Sequence, residues 1–359
     1  MTETIAPSPA TTGQAFSQEE LQLAFRNRGM PLEAMRHDLT PTGLHYLLIH
    51  WDIPDLDPAT WRLHVGGSVE RPLELSLADL LARPSRSVTV TLECAGNGRA
   101  RLEPRSFSQP WLYEAIGTAE WTGVPLRDVL AEAGLLPETV ELVFTGADHG
   151  IQGGVEHDYA RSLTVADATR PEVLLAYAMN GQPLEPQHGA PFRLLVPGWY
   201  GMTSVKWLRS IEAVREPFRG YQQAEAYRFQ ERDGEPGEPV SRIRVRALMI
   251  PPGFPDFPER RRYVEAGTVE LTGRAWSGMA PVTRVEVGID GEWLEARLDP
   301  PVAEHAWRGW RHTWQATPGA HRLSCRATDA SGASQPLEQP WNVQGLCNNL
   351  VQTIDVLVR

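Results

Sequence analysis

The feature that most constrains this chain is Ser87–Arg99, SVTVTLECAGNGR. Val88, Val90 and Leu92 alternate with polar residues, a period of two that predicts a strand, and the strand runs directly into Cys94 and the turn-forming residues AGNG. The chain must therefore end a strand on a thiol and turn sharply behind it. Gly96 and Gly98 leave space for a close neighbour, and Arg99 sets a fixed positive charge five residues past the sulfur. A nearby cation favours the thiolate, the form that ligates metals. Read on its own, the same segment also describes a buried structural cysteine backed by a glycine turn.

Around this segment the chain mixes helix and strand. Ser17–Phe25 predicts a short helix capped by Ser17, with Glu20 as the third residue of a capping box. The stretch FRNRGMPLEAMRHDLTPTGLHYLLIHWDIPDLDP is rich in Arg, His and Pro without sustained periodicity, and is expected to line something rather than form a core. Trp61–Val65 and Val69–Leu75 read as strands around a Gly66–Gly67 turn, and Ser76 caps a helix over Leu77–Ala82. A further helix starts at Pro125, runs through Ala133 and is stopped by Gly134. Strands are expected at Val140–Thr145, Val173–Met179, Arg193–Val196 and Val205–Glu212, with a turn at Asn180–Gly181.

No regular βαβ rhythm is present, so the class expected is α+β. From Asp233 to Pro258 the composition shifts to Gly, Pro and charge, DGEPGEP and then IPPGFPDFPERRR, which marks a boundary. Beyond it, Gly267–Arg274, Val282–Ile289, Trp293–Leu298, Arg308–Thr313, Gly319–Thr328 and Asn342–Arg359 are short alternating runs, the pattern of an all-β, immunoglobulin-like sandwich. The expected organisation is a disordered tail over residues 1–16, a mixed β domain with helices over 17–235, and the sandwich over 236–359.

Composition narrows the functions. A net charge of −11 argues against nucleic acid or an anionic membrane as partner. The 42% hydrophobic and 22% charged content is that of a soluble globular protein. Cys94, Cys325 and Cys347 provide no disulfide framework and no CxxC or CxxCH site for zinc or c-type haem, so a redox centre must come from a non-covalent cofactor. No run of eighteen apolar residues predicts a membrane span. MTETIAPSPATTGQAFSQEE has no basic start, apolar core or twin arginine, so the expected location is cytoplasmic, with the periplasm open if an export signal has been removed.

ECAGNGR, the Pro110–Trp111 pair, IGTAEWTGVPLRDVL at Ile116–Leu130 and EVLLAYAMNGQPLEPQHGAPFRLLVPGWYGMTSVKWL at Glu172–Leu208 closely resemble the molybdenum-cofactor domain of the sulfite oxidase family. The likeness runs from about residue 40 to the end. It implies that Cys94 is the single protein ligand to molybdenum, whose other sulfurs come from a molybdopterin, and a soft thiolate suits such a metal. It further implies that His50, Asp148, His188, Arg193 and Lys206 hold the cofactor, that Tyr159 and Arg99 face the substrate, and that Trp111 lines its pocket. Without the resemblance, QHGAPFR is a loop-to-strand turn with an exposed arginine and Tyr159 a half-buried phenol. Asp148, His149, His157 and Asp158 lack any HExxH-like spacing and read as a solvated loop.

The chain departs from the family where substrate is chosen. Family members carry FVRNH; here Tyr46–His50 keeps the histidine but places Leu48 at the arginine. AWSG at Ala275–Gly278 is followed by Met279, Ala280 and Pro281 instead of a second arginine. Arg26 and Arg28, in a similar-looking Phe25–Arg28, and Arg105 and Arg161 are the candidate replacements. The function implied is molybdenum-dependent oxygen-atom transfer, the oxidation of sulfite to sulfate. No haem-binding segment is read, so electrons are expected to pass to an external acceptor such as a cytochrome. The resemblance also implies a homodimer through the sandwich. Two alternatives stand: a reductase of the same fold acting on nitrate or a sulfoxide, and a non-enzymatic immunoglobulin-like binding protein with a degenerate cofactor domain.

Overall fold

Helix ends leave backbone amides without partners, and local side chains decide where the helices begin. The computed structural model describes residues 16–359, so the expected tail lies outside the described residues except for Phe16. The Ser17 side chain accepts from the Glu20 amide while Glu20 accepts from the Ser17 amide, and this capping box opens α1 (Gln18–Arg26). Ser76 and Asp79 repeat the device at α2 (Leu77–Leu81). Gly134, at φ +71°, closes α3 (Leu126–Ala133). The Pro-rich stretch between α1 and the first strand forms two short 3-10 turns, Leu32–Arg36 and Thr42–Leu44.

One sheet has the order β2 (Leu73–Ser76), β1 (Arg62–Gly67), β10 (Leu208–Val214), β5 (Glu141–Gln152), β6 (Val155–Thr164), with β1 and β10 parallel and the other neighbours antiparallel. Its inward residues Leu63, Val65, Phe144 and Ile211 pack with Leu126, Val129 and Leu130 of α3 in one core. A second antiparallel sheet runs β3 (Arg86–Glu93), β4 (Ile116–Pro125), β7 (Leu174–Met179), β8 (Gln182–Pro183), with β9 (Arg193–Leu195) also paired to β7. Asn180 and Gly181, both at positive φ, form the two-residue turn between β7 and β8.

A small hairpin of β11 (Arg228–Phe229) and β12 (Glu238–Pro239) follows. The remaining strands form two sheets. One has the order β13 (Arg246–Met249), β16 (Gly267–Trp276), β20 (Arg308–Ala316), β19 (Arg297–Leu298). The other has the order β14 (Phe254–Pro255), β15 (Arg262–Val264), β22 (Gln352–Val358), β21 (Gly319–Asp329), β17 (Val282–Ile289), β18 (Glu292–Glu295). Leu271, Trp310 and Trp314 of the first share a core with Val285, Val287, Leu323 and Val356 of the second, so the two sheets face each other across a single apolar layer.

Another cluster joins the two ends of the chain. Met30, Met35, Tyr113 and Tyr200 pack against Ile243, Trp276, Trp307 and Leu346. At its edge the buried Glu93 carboxylate accepts from the Trp276 indole at 2.8 Å and from Asn97 at 3.0 Å, and meets the buried Arg246 guanidinium.

Two expectations are corrected. Residues 148–158 are not a solvated loop but the arms of the β5–β6 hairpin, turned by Gly153 and Gly154 at positive φ, with exposed His149 bonded to Asp158 and Glu156. Residues 342–350 are not strand. Asn342 bonds to the backbone of Leu346, and Asn348 donates to Gly98 O at 2.7 Å, so side-chain amides take over the hydrogen bonds that a ladder would make.

Candidate active site

Strand β3 delivers Cys94 into a loop, and every residue from Thr91, near the strand's end, to Arg99 is buried. Asn97 pins the loop by donating to Tyr113 O and accepting from the Ala115 amide. The space left by the two glycines has identifiable occupants. A Cβ on Gly96 would stand 2.8 Å from the Arg99 guanidinium, and one on Gly98, at φ +90°, 2.9 Å from the Asn348 side chain. Arg99 Nε donates to Gln344 O at 2.9 Å and Nη1 to Gln109 O at 3.3 Å, so the cation is aimed by carbonyls and has no carboxylate ion pair among the described residues. Burial raises the Cys94 pKa, opposed by Arg99, the Gly96 amide and the Trp111 indole. The expected thiolate-favouring pull of Arg99 is present, but desolvation outweighs it in the chain alone. A bound metal cation is what would favour deprotonation here.

Beside the sulfur lies a narrow cavity. Seven of the residues singled out in the sequence line it: Cys94, His50, Asp148, Tyr159, His188, Arg193 and Lys206. Arg193 donates to His188 O at 3.1 Å and Ser204 O at 2.9 Å, and Lys206 Nζ to Leu48 O at 2.8 Å and Gln187 O at 3.2 Å. Neither cation has a carboxylate within ion-pair distance among the described residues. The cost is visible in the titration of the cavity. Burial, then the charge of Arg193, brings Lys206 down to about 7, and burial brings Arg193 down to about 10. Burial, then His45, Arg193 and Lys206, holds His188 at about 3. His45 and His50 are held near 4, again chiefly by burial. Burial lifts Asp148 to about 6, and its Oδ1 has no hydrogen-bond partner, as is true of His45 Nε2, His188 Nε2 and Arg193 Nε. Buried basic groups that repel one another and leave donors unspent are matched by a polyanion with many acceptors, such as a phosphate.

A second, open cavity of about 640 Å³ also borders the sulfur. It shares Leu48, His50, Cys94 and Tyr227 with the first and adds Arg99, Trp111, Phe107 and Gln109. Trp111 packs directly on Cys94. Tyr159 donates to Met202 O at 2.8 Å, and its ring centroid is 5.0 Å from that of His50. Thus the other eight site residues named from the sequence line the two cavities that meet at the Cys94 sulfur.

Two others do so without having been anticipated. Tyr227, at φ +56°, places its hydroxyl 2.9 Å from His50 Nε2, and it lies 177 residues further along the chain with no motif of its own. His45 offered only its proximity in sequence to His50.

The candidate replacement arginines do not reach the outer cavity. Arg26 is paired with Asp52, and Arg105 with Glu20. Arg28 acts on His45 and His188, on the inner side. Arg161 is buried behind Tyr227, 5.7 Å from its ring centroid, and donates to Gln222 O. Met279 is exposed in a different cavity. Among the described residues lining the outer cavity, Arg99 is the one cation.

Comparison with known proteins agrees with this geometry. Residues 50–222 match the oxidoreductase molybdopterin binding domain, and residues 257–358 the Mo-co oxidoreductase dimerisation domain. These define the class, a molybdopterin-dependent oxidoreductase.

The chain is 36% identical to mitochondrial sulfite oxidase of Mus musculus over 89% of its own length and 62% of that protein's, and 35% identical to sulfite oxidase of Gallus gallus over 86% and 71%. It is 31% identical to an NADH nitrate reductase of Oryza sativa, covering 89% of this chain and 38% of that one. Among solved structures, the sulfane dehydrogenase SoxCD of Paracoccus pantotrophus superposes with a TM-score of 0.80 at 26% identity, covering 98% of this chain and 92% of that one. The chain belongs to the sulfite oxidase family, and it spans about three fifths of the length of the mammalian members.

The residues present fit the family's cofactor. The unspent donors of the inner cavity suit a pterin phosphate, and Cys94 offers the soft ligand. Among the described residues no three His, Cys, Asp or Glu side chains converge as a metal site, so a metal at Cys94 would bring its other ligands with it. No helix among them is long and apolar enough to cross a membrane.

Proposed function

We propose that this chain catalyses molybdenum-dependent oxygen-atom transfer, oxidising sulfite to sulfate and passing electrons to an external acceptor such as a cytochrome. The observation that carries the reading is the position of Cys94, at the wall between a cavity of unspent cationic and imidazole groups and an outer cavity with one guanidinium. His50, Asp148, His188, Arg193 and Lys206 would hold the pterin, and Cys94 would ligate the metal. When bound, molybdenum supplies two-electron redox chemistry and oxygen-atom exchange.

The other contributions belong to the chain. Arg99, fixed by two carbonyls, binds the anion and orients it toward Cys94. Burial keeps the Tyr159 phenol protonated far above neutral pH, so it serves as a donor. His50 stays neutral and can accept the Tyr227 hydroxyl proton at Nε2, which orders both rings beside the sulfur. Trp111 and Leu48 keep water off the thiol face. Sulfite and water give sulfate, two protons and two electrons. In the same reading, residues 17–235 form the cofactor-binding part, and residues 236–359 an immunoglobulin-like sandwich through which two copies pair.

Molybdenum analysis together with sulfite turnover, using ferricyanide as acceptor, tests this. About one molybdenum per chain with sulfite-dependent reduction is expected. A molybdenum-loaded protein that ignores sulfite overturns the substrate, and metal well below one per chain favours the binding-protein alternative. Reduction of nitrate or a sulfoxide is the second reading. It is favoured by the rice nitrate reductase similarity and by the single guanidinium, which suits a monoanion.

A further inference from the structure

The outer cavity says more about substrate, in a step that rests on the function proposed above. Its volume of about 640 Å³ lies within the roughly 300–1,000 Å³ of sites shaped around drug-sized ligands, and far exceeds what a four-atom oxyanion such as sulfite needs. Its lining neutralises one negative charge. Arg99 is the one cation among the described residues there, His50 is neutral, and Glu225 at the rim carries the opposite charge. One wall is apolar from the sulfur outward: Leu48, Ile49 and Trp111 near Cys94, then Phe107 and Ile151, 68% and 66% exposed, at the mouth. A compact dianion uses none of that wall, and a second charge finds no partner.

We propose that the site also takes an organic sulfinate, R–SO2⁻, and oxidises it to the sulfonate. A sulfinate keeps the sulfur lone pair that sulfite presents and carries one charge for Arg99. Its R group lies against Leu48, Trp111 and Phe107. The reaction balances as R–SO2⁻ + H2O → R–SO3⁻ + 2 H⁺ + 2 e⁻. One S–O bond forms and both O–H bonds of a water break. Sulfur loses two electrons to an outer-sphere one-electron acceptor, two equivalents per turnover, and the protons pass to solvent.

The test uses the holoenzyme with ferricyanide as acceptor and sulfite, methanesulfinate and benzenesulfinate as substrates, with calorimetric binding of the same anions to prereduced enzyme as a readout that needs no turnover. Benzenesulfinate is expected to bind and turn over with a KM about tenfold below that of methanesulfinate. Leu48→Arg should raise the benzenesulfinate-to-sulfite ratio of both KM and Kd about tenfold. Phe107→Ala, at an exposed position that leaves the fold intact, should move the same ratio in the same direction. Sulfite turnover without binding or turnover of benzenesulfinate overturns this inference alone, as does benzenesulfinate binding without oxidation. Turnover of neither anion overturns the proposed function as well.

Discussion

Arg246 Nη1 lies 2.5 Å from Oε1 of Glu93, and both side chains are almost wholly buried. Glu93 precedes the thiol in sequence, while Arg246 opens the first strand of the C-terminal sheets, so this pair fastens the Cys94 loop to the distal part of the chain. Removing one partner strands a buried charge. Arg246→Leu should destabilise the protein by about 3–5 kcal/mol in urea unfolding, and combining Glu93→Gln with Arg246→Met should recover most of that loss. Equal instability of the single and double variants would remove the pair as the fastening.

Cys94→Ser replaces a soft ligand with a hard hydroxyl. Turnover should fall by at least about a thousandfold, which is ~4 kcal/mol of barrier, while thermal unfolding moves by only a few degrees. Retained turnover removes the sulfur from the chemistry.

The inner cavity should bind anions with a definite pH dependence. Lys206 loses its charge as pH rises through about 7, and Asp148 gains one as pH rises through about 6. Both changes weaken anion binding, so sulfate affinity for the cofactor-free protein should be highest near pH 5 and fall toward pH 8, by up to about tenfold per pH unit above 7. Three histidines held at about 4 or below stay neutral across this range. Lys206→Met should weaken binding at pH 5 and abolish the fall above pH 7. A wild-type profile flat from pH 5 to 8 would contradict the assignment.

Gly98 combines φ +90° with a neighbour that a Cβ would meet at 2.9 Å. Gly98→Ala should cost about 1–3 kcal/mol by thermal unfolding and lower sulfite turnover, since Arg99 is the next residue. A neutral effect would show that the loop can relax at that point.

Tyr227→Phe removes the hydroxyl facing His50 and keeps the ring. The expected result is a fall in kcat of about tenfold with little change in KM, and an altered pH profile, because the hydroxyl positions a neutral imidazole rather than binding substrate. A change in KM alone would place Tyr227 in uniform binding.

Which parts of this could be read from sequence follows from the range of the forces involved. Ser17 with Glu20, Ser76 with Asp79 and Gly134 act within one helical turn, and their residue types suffice to locate the helix ends. The 146–158 arms resisted because polar side chains on an exposed hairpin lack apolar alternation, and their pairing is set by the Gly153–Gly154 turn and by bonds such as His149 to Asp158. Residues 342–350 had the alternation of a strand, but their amide side chains satisfy the backbone instead. In the site, Cys94, His188 and Arg193 sit in readable local motifs. Tyr227 reaches the sulfur only through the tertiary path of the chain. The sign of the thiol's shift depended on burial, which residue order does not disclose.

One of the two carbonyls that aim Arg99 belongs to Gln344, 245 residues downstream. The aim of the one guanidinium among the described residues of the outer cavity is thereby set in part by a segment remote in sequence from Cys94. On the proposed function, a version of the chain trimmed to residues 17–235 would keep Cys94 and the groups proposed to hold the pterin, and would leave Arg99 with the Gln109 carbonyl alone to aim it at the anion.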